Sequence, residues 1–515
     1  MDINDYFDEF MGTVWIQPDG PNTAVYPLLC IDLDGIDEPQ GDVTRRFCRQ
    51  GDGQYKVVHS TQGTPSSVTF DVVAWKTNQR SYMQKQVERR CPAAYYLHHA
   101  YCGRVDTFLN YDAGKLLPNG LITSKSSGTN ARGRAEENDS PDMTEQTFSL
   151  SADTPAPEYY GLLPTIGDPA SEDEPLRDIA KCSWKQCVGP CGELIDMCDV
   201  MNIAGDAAAA AVADGYITED NATTFTAWAA QPFAADEDIA SIVCVQVDRN
   251  TTRIIAARGT TDVANPMEIG YSDDEGATWT NVNVGSTNGE YAMHSGALFA
   301  LDHRHIWLCT DQANVYFSDD GGLTWTDQNA PTPGANESLN YVHFIDENFG
   351  WAVGGFRTTP TGLFIQTTDG GEHWDLATAE PKVEMGNWVN VIDAYRVWVG
   401  LDDGTVYFSN DWGATWTQRT LPSTLVNTGD GTFISEYEGA IVGYKTGAGN
   451  GVPVCFRTFN GGHDWEEYNH TSEFTNAVAH YGLNAVLMCS INEIHIVGED
   501  CDGVSLVWTL KPAGW

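Results

Sequence analysis

Short apolar runs alternate with polar, glycine-containing segments along residues 206–515. Runs such as 305–309, 350–355 and 397–400 combine β-branched and aromatic residues, which favours short buried strands. No apolar run in the chain approaches the roughly 18 residues that a membrane-spanning helix needs. The pattern therefore predicts a mainly β chain with many short strands and no membrane span.

One eight-residue pattern recurs five times in this half of the chain. It occurs at Ser272–Trp279, Ser318–Trp325, Thr367–Trp374, Ser409–Trp416 and Thr458–Trp465. The final tryptophans are successively 46, 49, 42 and 49 residues apart. This spacing is typical of one four-stranded β-propeller blade per repeat.

Each repeat resembles the Asp-box motif of sialidases, sortilin-type receptors and photosystem-assembly propellers, and the resemblance covers residues 220–515. In the motif a carboxylate accepts backbone N–H groups across a tight hairpin, and glycine takes the positive φ that the turn needs. The resemblance implies that these residues are scaffold at the propeller periphery, with the tryptophan pinning the turn onto its blade. The structural Asp-box positions are Ser272, Asp274, Gly276, Trp279, Ser318, Asp320, Gly322, Trp325, Thr367, Asp369, Gly371, Trp374, Ser409, Asp411, Gly413, Trp416, Thr458, Asn460, Gly462 and Trp465.

The repeats predict a six-bladed propeller, with seven blades as the alternative. A sixth unit, at about residues 478–515, has strand-like runs but no Asp box, and it needs one more strand. Residues 225–229 precede the first repeat and are predicted to supply that strand, which would close the ring without an open edge.

The first 200 residues follow a different pattern. The predicted elements are strands at 55–59, 68–75, 92–101, 105–110 and 146–151, an amphipathic helix at 78–90 and a polar loop at 124–137. They indicate an α+β sandwich or barrel entered by an acidic N-terminal arm. We predict three segments: a sandwich domain at 1–174, a cysteine-rich connector with a short helical linker at 175–219, and the Asp-box propeller at 220–515.

The order of these elements, and the sequence from Arg90-Cys91-Pro92 to Asn110-Tyr111, resemble the tail-tube proteins of long-tailed bacteriophages. The resemblance covers about residues 40–200. It implies self-association into hexameric or pseudo-hexameric rings that stack into a tube, with C-terminal domains outside. The chain is therefore interpreted as a structural virion protein whose outward propeller binds cell-surface glycans or other surfaces.

The charge supports part of this interpretation. Lys and Arg total 28 against 72 Asp and Glu, a formal net charge of −44. Such a chain is not built to grip nucleic acid through its phosphates. Residues 1–5 carry acid where an export signal needs basic residues and an apolar core, yet the chain has 13 cysteines. A virion tail protein, assembled in a host cytoplasm and released outside, reconciles the two observations.

The cysteines leave several alternatives open. Cys182, Cys187, Cys191 and Cys198 suit two disulfides, a tetrahedral structural zinc site or free thiols, with disulfides favoured. Cys91 and Cys102 are further disulfide candidates, and Cys489 and Cys501 suggest a local bridge. Buried free thiols are expected at Cys244, Cys309 and Cys455.

The competing interpretation is a secreted or surface carbohydrate-binding or glycosidase propeller, and a third is an assembly-factor propeller that binds another protein. The sialidase Phe-Arg-Ile-Pro element is absent, and Arg253-Ile254-Ile255 is a poor match to it. Trp351 and Trp398 are expected in the core rather than at a sugar platform. We predict no catalytic residue, no cofactor and no metal, since His98-His99, His303 and His305 suit strands. Calcium at Asp32–Glu38 is a weaker alternative.

Overall fold

The computed structural model divides the chain into two compact units, residues 1–161 with 459–464, and residues 162–458 with 465–515. The described residues are 11–18, 26–28, 31–37, 44–49, 55–60, 66–72, 93–100, 113–128, 145–152, 158–160, 162–167, 176–181, 186–188, 194–196, 201–205, 215–218, 224–234, 237–248, 251–259, 265–331, 337–356, 361–446, 451–469, 483–499 and 505–511. Their helical structure is a 3-10 turn at Ser295–Ala297. None of their helices is long and apolar enough to cross a membrane.

The first unit is built from antiparallel strands. They are β1 (Met11–Pro18), β2 (Tyr26–Leu28), β3 (Ile31–Asp37), β4 (Thr44–Arg49), β5 (Tyr55–Ser60), β6 (Ser66–Val72), β7 (Ala93–Ala100), β8 (Ala113–Gly128), β9 (Glu145–Ala152) and β10 (Glu158–Tyr160). Seven of them form one sheet in the order β2-β1-β7-β8-β9-β6-β3, β10 adds to β8, and β4 pairs with β5 as a separate hairpin.

Four of the five strands predicted in this region coincide with β5, β6, β7 and β9. The fifth, at 105–110, and the predicted helix at 78–90 lie outside the described residues. The polar loop predicted from residue 124 is wrong at its start, because β8 continues to Gly128 through its pairing with β9. The sandwich or barrel and its tail-tube likeness stay predictions.

The second unit contains seven four-stranded antiparallel sheets. Sheet 1 comprises β12 (Leu176–Lys181), β15 (Met201–Gly205), β16 (Gly215–Thr218) and β17 (Thr226–Ala227), with the hairpin β13 (Gln186–Val188) and β14 (Leu194–Asp196) inserted in it. Sheet 2 comprises β18 (Ile239–Gln246), β19 (Thr252–Arg258), β20 (Pro266–Ser272) and β21 (Thr280–Asn288). Sheet 3 comprises β22 (Leu298–Ala300), β23 (Ile306–Cys309), β24 (Val315–Ser318) and β25 (Thr326–Asp327).

The later sheets repeat the same up-and-down order. Sheet 4 comprises β26 (Ser338–Phe344), β27 (Gly350–Phe356), β28 (Thr361–Thr367) and β29 (Asp375–Leu376). Sheet 5 comprises β30 (Gly386–Val391), β31 (Val397–Leu401), β32 (Val406–Ser409) and β33 (Thr417–Arg419). Sheet 6 comprises β34 (Leu425–Phe433), β35 (Gly439–Thr446), β36 (Gly451–Thr458) and β37 (Glu466–Asn469). Sheet 7 comprises β38 (Leu483–Ser490), β39 (Glu493–Glu499), β40 (Ser505–Lys511) and β11 (Leu163–Gly167).

The first strands of the sheets form a closed ring. β12 packs against β18, each later first strand packs against the next, and β38 packs back against β12. This is a seven-bladed β-propeller, so the prediction of six blades is wrong and the alternative of seven is correct. Sheet 1 was missed because no Asp box lies within it and its strands are short and interrupted by the β13–β14 hairpin.

A strand from far along the chain closes the ring. β11 pairs with β40, with Leu163 opposite Lys511 and Gly167 opposite Val507. Closure by an earlier segment was predicted, but from residues 225–229. Those residues contain β17, which is the outer strand of sheet 1 and pairs with β16.

The structure also differs from the predicted boundaries at 175 and 220, because residues 175–219 contain most of sheet 1 rather than a connector. Leu176, Ile179, Met201 and Ile203 of that segment are buried in an apolar cluster with Val497 and other residues of sheet 7. The cysteine-rich composition suggested a connector, but the apolar residues of this segment pack against a neighbouring sheet as part of the propeller core.

Large aromatic side chains join neighbouring sheets. The runs predicted as inner strands are the second strands β23, β27 and β31, and they carry Trp307, Trp351 and Trp398, which are at most 1% exposed. Trp307 stacks on Phe344 of sheet 4 at 3.8 Å between ring centroids. Trp398 stacks on Phe433 of sheet 6 at 4.1 Å. Trp351 and Trp398 are therefore core residues, as predicted.

Candidate functional site

The Asp-box turns are closed by side-chain hydrogen bonds, as the third-sheet turn illustrates. Ser318 Oγ accepts the N–H of Gly322 (2.8 Å) and donates to Asp320 Oδ1 (2.9 Å). Asp320 Oδ1 also accepts the N–H of Thr324 (2.8 Å), and its Oδ2 accepts the Thr324 hydroxyl (2.6 Å). Gly321 and Gly322 have φ of 78° and 87°, which a side chain rarely adopts. The Asp320 carboxylate therefore makes its hydrogen bonds within the turn and stabilises it.

The Gly N–H contact to the hydroxyl recurs in the turns that follow Ser272, Thr367 and Ser409, and in the Thr367 turn His373 Nδ1 takes the place of the threonine hydroxyl beside the aspartate. Partial desolvation acts to raise the pKa of Asp320 and Asp411, but the hydrogen bonds outweigh it and lower the pKa of both carboxyls. Hydrogen bonds likewise lower the pKa of Asp274 and Asp369. These four carboxylates are accordingly held in the charged form.

The fifth turn places its carboxylate differently. Asn460 stands at the acidic position; its Oδ1 accepts the N–H of Asp464 (3.0 Å) and its Nδ2 donates to Asp464 Oδ2 (2.8 Å). Burial raises the pKa of Asp464, in contrast to the other four boxes.

Three of the Asp-box tryptophans tie their turn to the segment that follows the preceding sheet, whereas Trp325 Nε1 donates to the Gly322 carbonyl of its own turn (3.1 Å). Trp279 Nε1 donates to the carbonyl of Ala230, which follows sheet 1 (2.9 Å), and Trp416 Nε1 donates to Ala379, which follows sheet 4 (3.0 Å). Trp374 Nε1 donates to Gln328 Oε1, after sheet 3 (3.1 Å). The motif thus contributes to inter-sheet contact as well as to its own hairpin.

A second set of turns was missed by the sequence reasoning. Between the first and second strands, Asp302 Oδ1 accepts the N–H groups of Arg304 (2.7 Å) and His305 (2.9 Å), and Asp346 and Asp393 make the same pair of contacts. In sheets 3 to 5 this aspartate precedes the buried tryptophan by five positions, as in Asp302 and Trp307. That spacing is the signal that could have revealed the turns.

The two kinds of turn lie at the same end of each sheet. The Gly321 N–H donates to the Arg304 carbonyl (3.1 Å), and the Gly370 N–H donates to the Asn348 carbonyl (2.9 Å). We call this end of the propeller the turn side.

A pocket of about 370 Å³ opens between sheets 3 and 4 on the turn side, and we call it the turn-side pocket. The His305 and Phe317 rings are partly buried and nearly parallel, 10° apart with centroids at 6.1 Å. The exposed carboxylates of Glu347 and Glu372 stand on its wall. Its lining includes His305, Phe317, Gln328, Asn329, Glu347 and Glu372.

Two groups near this pocket bring metal-ligating atoms together within 4.8 Å, namely Asp302, His305 and Glu347, and Asp369, Glu372 and His373. In each group an aspartate is already engaged: Asp302 Oδ2 lies 2.9 Å from His305 Nδ1, and Asp369 Oδ2 lies 2.8 Å from His373 Nδ1. A third group contains Cys489, which is disulfide-bonded and therefore has no thiolate to offer. We assign a metal to none of the three.

The cysteine predictions have mixed outcomes. Cys309 and Cys455 are buried free thiols, as expected, and burial raises the pKa of Cys455 to about 12. The prediction for Cys244 is wrong, because it is disulfide-bonded. Cys244 is only half-buried, and its Sγ faces sheet 1, where Asn202 Nδ2 lies at 3.7 Å.

The other cysteine pairings stay predictions. Cys489 is disulfide-bonded, but Cys501 lies outside the described residues. Cys187 lies in β13, where only the backbone is described. Outside the described residues lie Cys91, Cys102, Cys182, Cys191 and Cys198.

Polar side chains near the propeller axis link neighbouring first strands. Three asparagines each donate Nδ2 to a backbone carbonyl of the next sheet at 2.8 Å: Asn340 to Gly386, Asn387 to Thr428, and Asn484 to Leu176. The first two asparagines lie at register shifts near the start of β26 and β30. A bulge turns a side chain out of the regular alternation and allows it to reach the next sheet.

Two buried carboxyls complete these axial contacts. Asp178 Oδ2 accepts the N–H of Ile242 in sheet 2 (2.7 Å), and Asp430 Oδ2 accepts the N–H of Val486 in sheet 7 (3.0 Å). Desolvation raises the pKa of Asp178 well above its usual range and that of Asp430 to about 6. The Tyr341 hydroxyl hydrogen-bonds to Asp430. Both carboxyls are internal contacts rather than members of an open site.

The raised pKa of Asp430 predicts a pH effect on stability. Its folded pKa of about 6 exceeds the unfolded value of 3.8, so its stabilising contribution is full at low pH and falls as pH rises through 6. Two pKa units correspond to about 3 kcal/mol. We expect the unfolding free energy of the native chain to fall, relative to Asp430→Asn, by about 1 kcal/mol between pH 5 and pH 7 in urea titrations. A difference that does not change with pH would contradict the assignment.

A small cavity of about 70 Å³ lies where these first strands begin, and we call it the axial cavity. Its polar lining includes Arg177, His294, Ser295, Asn387, Asn427 and Asn484. None of these positions was singled out from the sequence, because the four first strands and the segment around the 3-10 turn that assemble them are far apart along the chain.

Comparison with known proteins supports the propeller. Residues 272–421, which contain the first four Asp boxes, match the family model described as "Photosynthesis system II assembly factor YCF48". No curated protein matches the sequence.

Among solved structures, YCF48 from Cyanidioschyzon merolae is 14% identical, with a TM-score of 0.46 covering 68% of this chain and 99% of that one. A structure described as "YCF48 bound to D1 peptide" is 13% identical, with a TM-score of 0.47 covering 69% and 98%. The GH74 xyloglucanase from Xanthomonas campestris is 12% identical, with a TM-score of 0.48 covering 67% and 55%. None of these comparisons bears on the tail-tube, self-assembly or virion predictions. The turn geometry and the family match together show that the second unit is an Asp-box β-propeller.

Proposed function

We propose that the propeller is a carbohydrate-binding domain and that the turn-side pocket is its ligand site. The observation that supports this is the combination of aromatic rings and polar side chains in one pocket of about 370 Å³. Small-molecule sites are typically concavities of about 300–1,000 Å³ with an apolar wall and a few directed polar groups.

The chemistry of the lining suits a sugar. A sugar ring offers an apolar C–H face to the partly buried His305 and Phe317 rings, and its hydroxyls donate to the exposed carboxylates of Glu347 and Glu372. A hydroxyl that donates to an ionised carboxylate makes a stronger hydrogen bond than one between neutral groups. These carboxylates are therefore the positions at which substitution should weaken binding most.

The carboxyl groups of the propeller favour binding without hydrolysis as the proposed role of the pocket. Glycoside hydrolysis needs a general acid with a raised pKa beside a second carboxylate. Desolvation raises the pKa of the axial carboxyls Asp178 and Asp430, but both are occupied by backbone N–H groups and neither lines the turn-side pocket.

Calorimetric titration of the full chain with defined oligosaccharides, xyloglucan fragments among them, tests the proposal. We expect saturable binding, and we expect Glu347→Gln to weaken it by about tenfold through loss of a charge-assisted hydrogen bond. Glu275→Gln is the matched control, because Glu275 is exposed on the Asp-box turn of sheet 2 and lies outside the pocket lining. It should leave affinity unchanged.

Two results would contradict the proposal. One is an absence of binding to every glycan of the panel, and the other is equal weakening by the two substitutions. Release of reducing ends during prolonged incubation would replace the binding role by a glycosidase role.

Peptide binding is the second candidate, because residues 272–421 match the YCF48 family model and one YCF48 structure is described as bound to a D1 peptide. Titration with acidic and basic peptides under the same conditions distinguishes it from glycan binding. Assembly into rings through residues 1–174 and a virion location stay predictions, which electron microscopy of the concentrated full chain would test.

A further inference from the structure

A glycine keeps the turn-side pocket open. Gly370 directly follows the box aspartate of sheet 4 and lines the pocket. Trp412 holds the same position in the box of sheet 5, and its ring meets Phe349 of sheet 4 edge-on, with centroids 5.5 Å apart. Phe349 corresponds to His305 of the pocket, because each directly precedes the residue that pairs with the box hydroxyl residue. An indole of the chain therefore fills, between sheets 4 and 5, the space that stays open between sheets 3 and 4.

The junction between sheets 2 and 3 is also occupied by the chain itself. Arg253 has the position in sheet 2 that His305 has in sheet 3. Its Nη1 donates at 3.0 Å to the carbonyl of Gly321, which has the position of Gly370. Of these three junctions, the turn-side pocket is the one that no side chain of the described residues fills. Its opening is therefore a departure from the repeat, and it leaves room for a ligand.

The acidic side chains of the pocket lack a basic partner. The described lining includes Asp327, Glu347, Asp369 and Glu372 but no lysine or arginine. Asp369 is hydrogen-bonded within its own turn, and the imidazole of His305 lies against Asp302 at 2.9 Å. Glu347 and Glu372 are exposed and form no ion pair with a described lysine or arginine. Within the described part of the chain, the pocket thus presents two negative charges without a basic counterpart.

A protonated amine would supply the missing charge. An ammonium that donates to a carboxylate makes a charge-assisted hydrogen bond, whereas a hydroxyl at the same place brings no charge of its own. The Phe317 ring adds to this attraction, because the face of an aromatic ring attracts a cation. The nearly parallel rings of His305 and Phe317 favour a sugar over a lysine side chain, since a pyranose carries a flat C–H face beside its amine.

We propose that the turn-side pocket selects amino sugars, with the ammonium at Glu347 and Glu372 and the C–H face of the sugar on His305 and Phe317. The proposal rests on the proposed carbohydrate function and names the class of glycan. Fully deacetylated chitotriose and cellotriose form a matched pair of probes. They share a β-1,4-linked backbone and differ only in carrying an ammonium or a hydroxyl at C2 of each ring.

Calorimetric titration of the full chain at mildly acidic pH, where the amines are protonated, compares the two trisaccharides. We expect chitotriose to bind about tenfold more tightly than cellotriose at low salt, because each exposed ion pair makes a modest contribution and two carboxylates take part. High salt should reduce this ratio, since exposed ion pairs are screened.

Two double variants locate the preference. Glu347→Gln combined with Glu372→Gln should abolish it. Glu275→Gln combined with Asp319→Asn is the matched control, because it removes two exposed carboxylates outside the pocket lining and changes the net charge equally. This control should keep the preference, which separates the pocket from a general attraction of cations to a chain of net charge −44.

The outcomes separate amino-sugar selectivity from the carbohydrate function itself. Equal affinity for the two trisaccharides, or binding of other glycans but of neither trisaccharide, would overturn the selectivity and leave the carbohydrate function standing. Equal loss in the two double variants would also overturn it. So would binding of trilysine, which carries the same number of side-chain amines, as tightly as chitotriose. Failure of every glycan to bind would overturn both proposals.

Discussion

Deleting residues 505–515 is expected to abolish cooperative folding of the propeller. The deletion removes β40, which pairs with both β39 and β11 in sheet 7. It also removes Val507, Trp508 and Leu510, each at most 1% exposed. Burial of such side chains contributes about 1.5–3 kcal/mol each, and the ring would gain two unpaired strand edges. The total is comparable with the 5–15 kcal/mol that typically separates folded from unfolded states.

Differential scanning calorimetry and near-ultraviolet circular dichroism measure this effect. The control is deletion of residues 512–515 alone, which leaves β40 entire and should preserve the native transition. A shortened chain without β40 that still melts in one sharp transition near the native temperature would show that the ring does not need closing.

Trp398→Ala is expected to destabilise the propeller by about 3–5 kcal/mol, the usual range for removing a buried aromatic side chain. Trp398 is fully buried, stacks on Phe433 of sheet 6 at 4.1 Å and meets Trp465 edge-on at 6.3 Å. The cavity would therefore open at the junction between sheets 5 and 6.

Guanidinium denaturation monitored by circular dichroism provides the measurement. Tyr395→Ala is the control: the Tyr395 side chain is 67% exposed, and the hydrogen bonds of Tyr395 in the turn come from its backbone N–H and carbonyl, so a change within about 0.5 kcal/mol is expected. A loss below 1 kcal/mol for Trp398→Ala would mean that the inter-sheet stack contributes little.

The elements that the sequence predicted well are those determined by local chemistry. An Asp box needs only a hydroxyl, a carboxylate, glycine and tryptophan within eight positions, so its geometry can be predicted from the sequence. The predicted number of blades was wrong because sheet 1 has no such signature. The closing strand was predicted at the wrong residues because the pairing of Leu163 with Lys511 joins segments that are far apart along the chain.

The candidate sites were beyond sequence reasoning for the same reason. His305 and Glu347 approach one another only because sheets 3 and 4 are neighbours, and nothing in their flanking residues announces a pocket. In the sequence, Asn387 is an ordinary polar residue near the start of β30. Its significance comes from the register shift in β30, which turns its amide towards sheet 6 and the axis.

Closure by β11 has a consequence for how the chain is made. A ribosome that synthesises about 5–20 residues per second produces Leu163 some 20–70 s before Lys511, its partner. Throughout that interval β11 has no partner strand, while the residues of sheets 1 to 6 are synthesised in order. The earliest strand of the propeller is thus the last to find its place during translation.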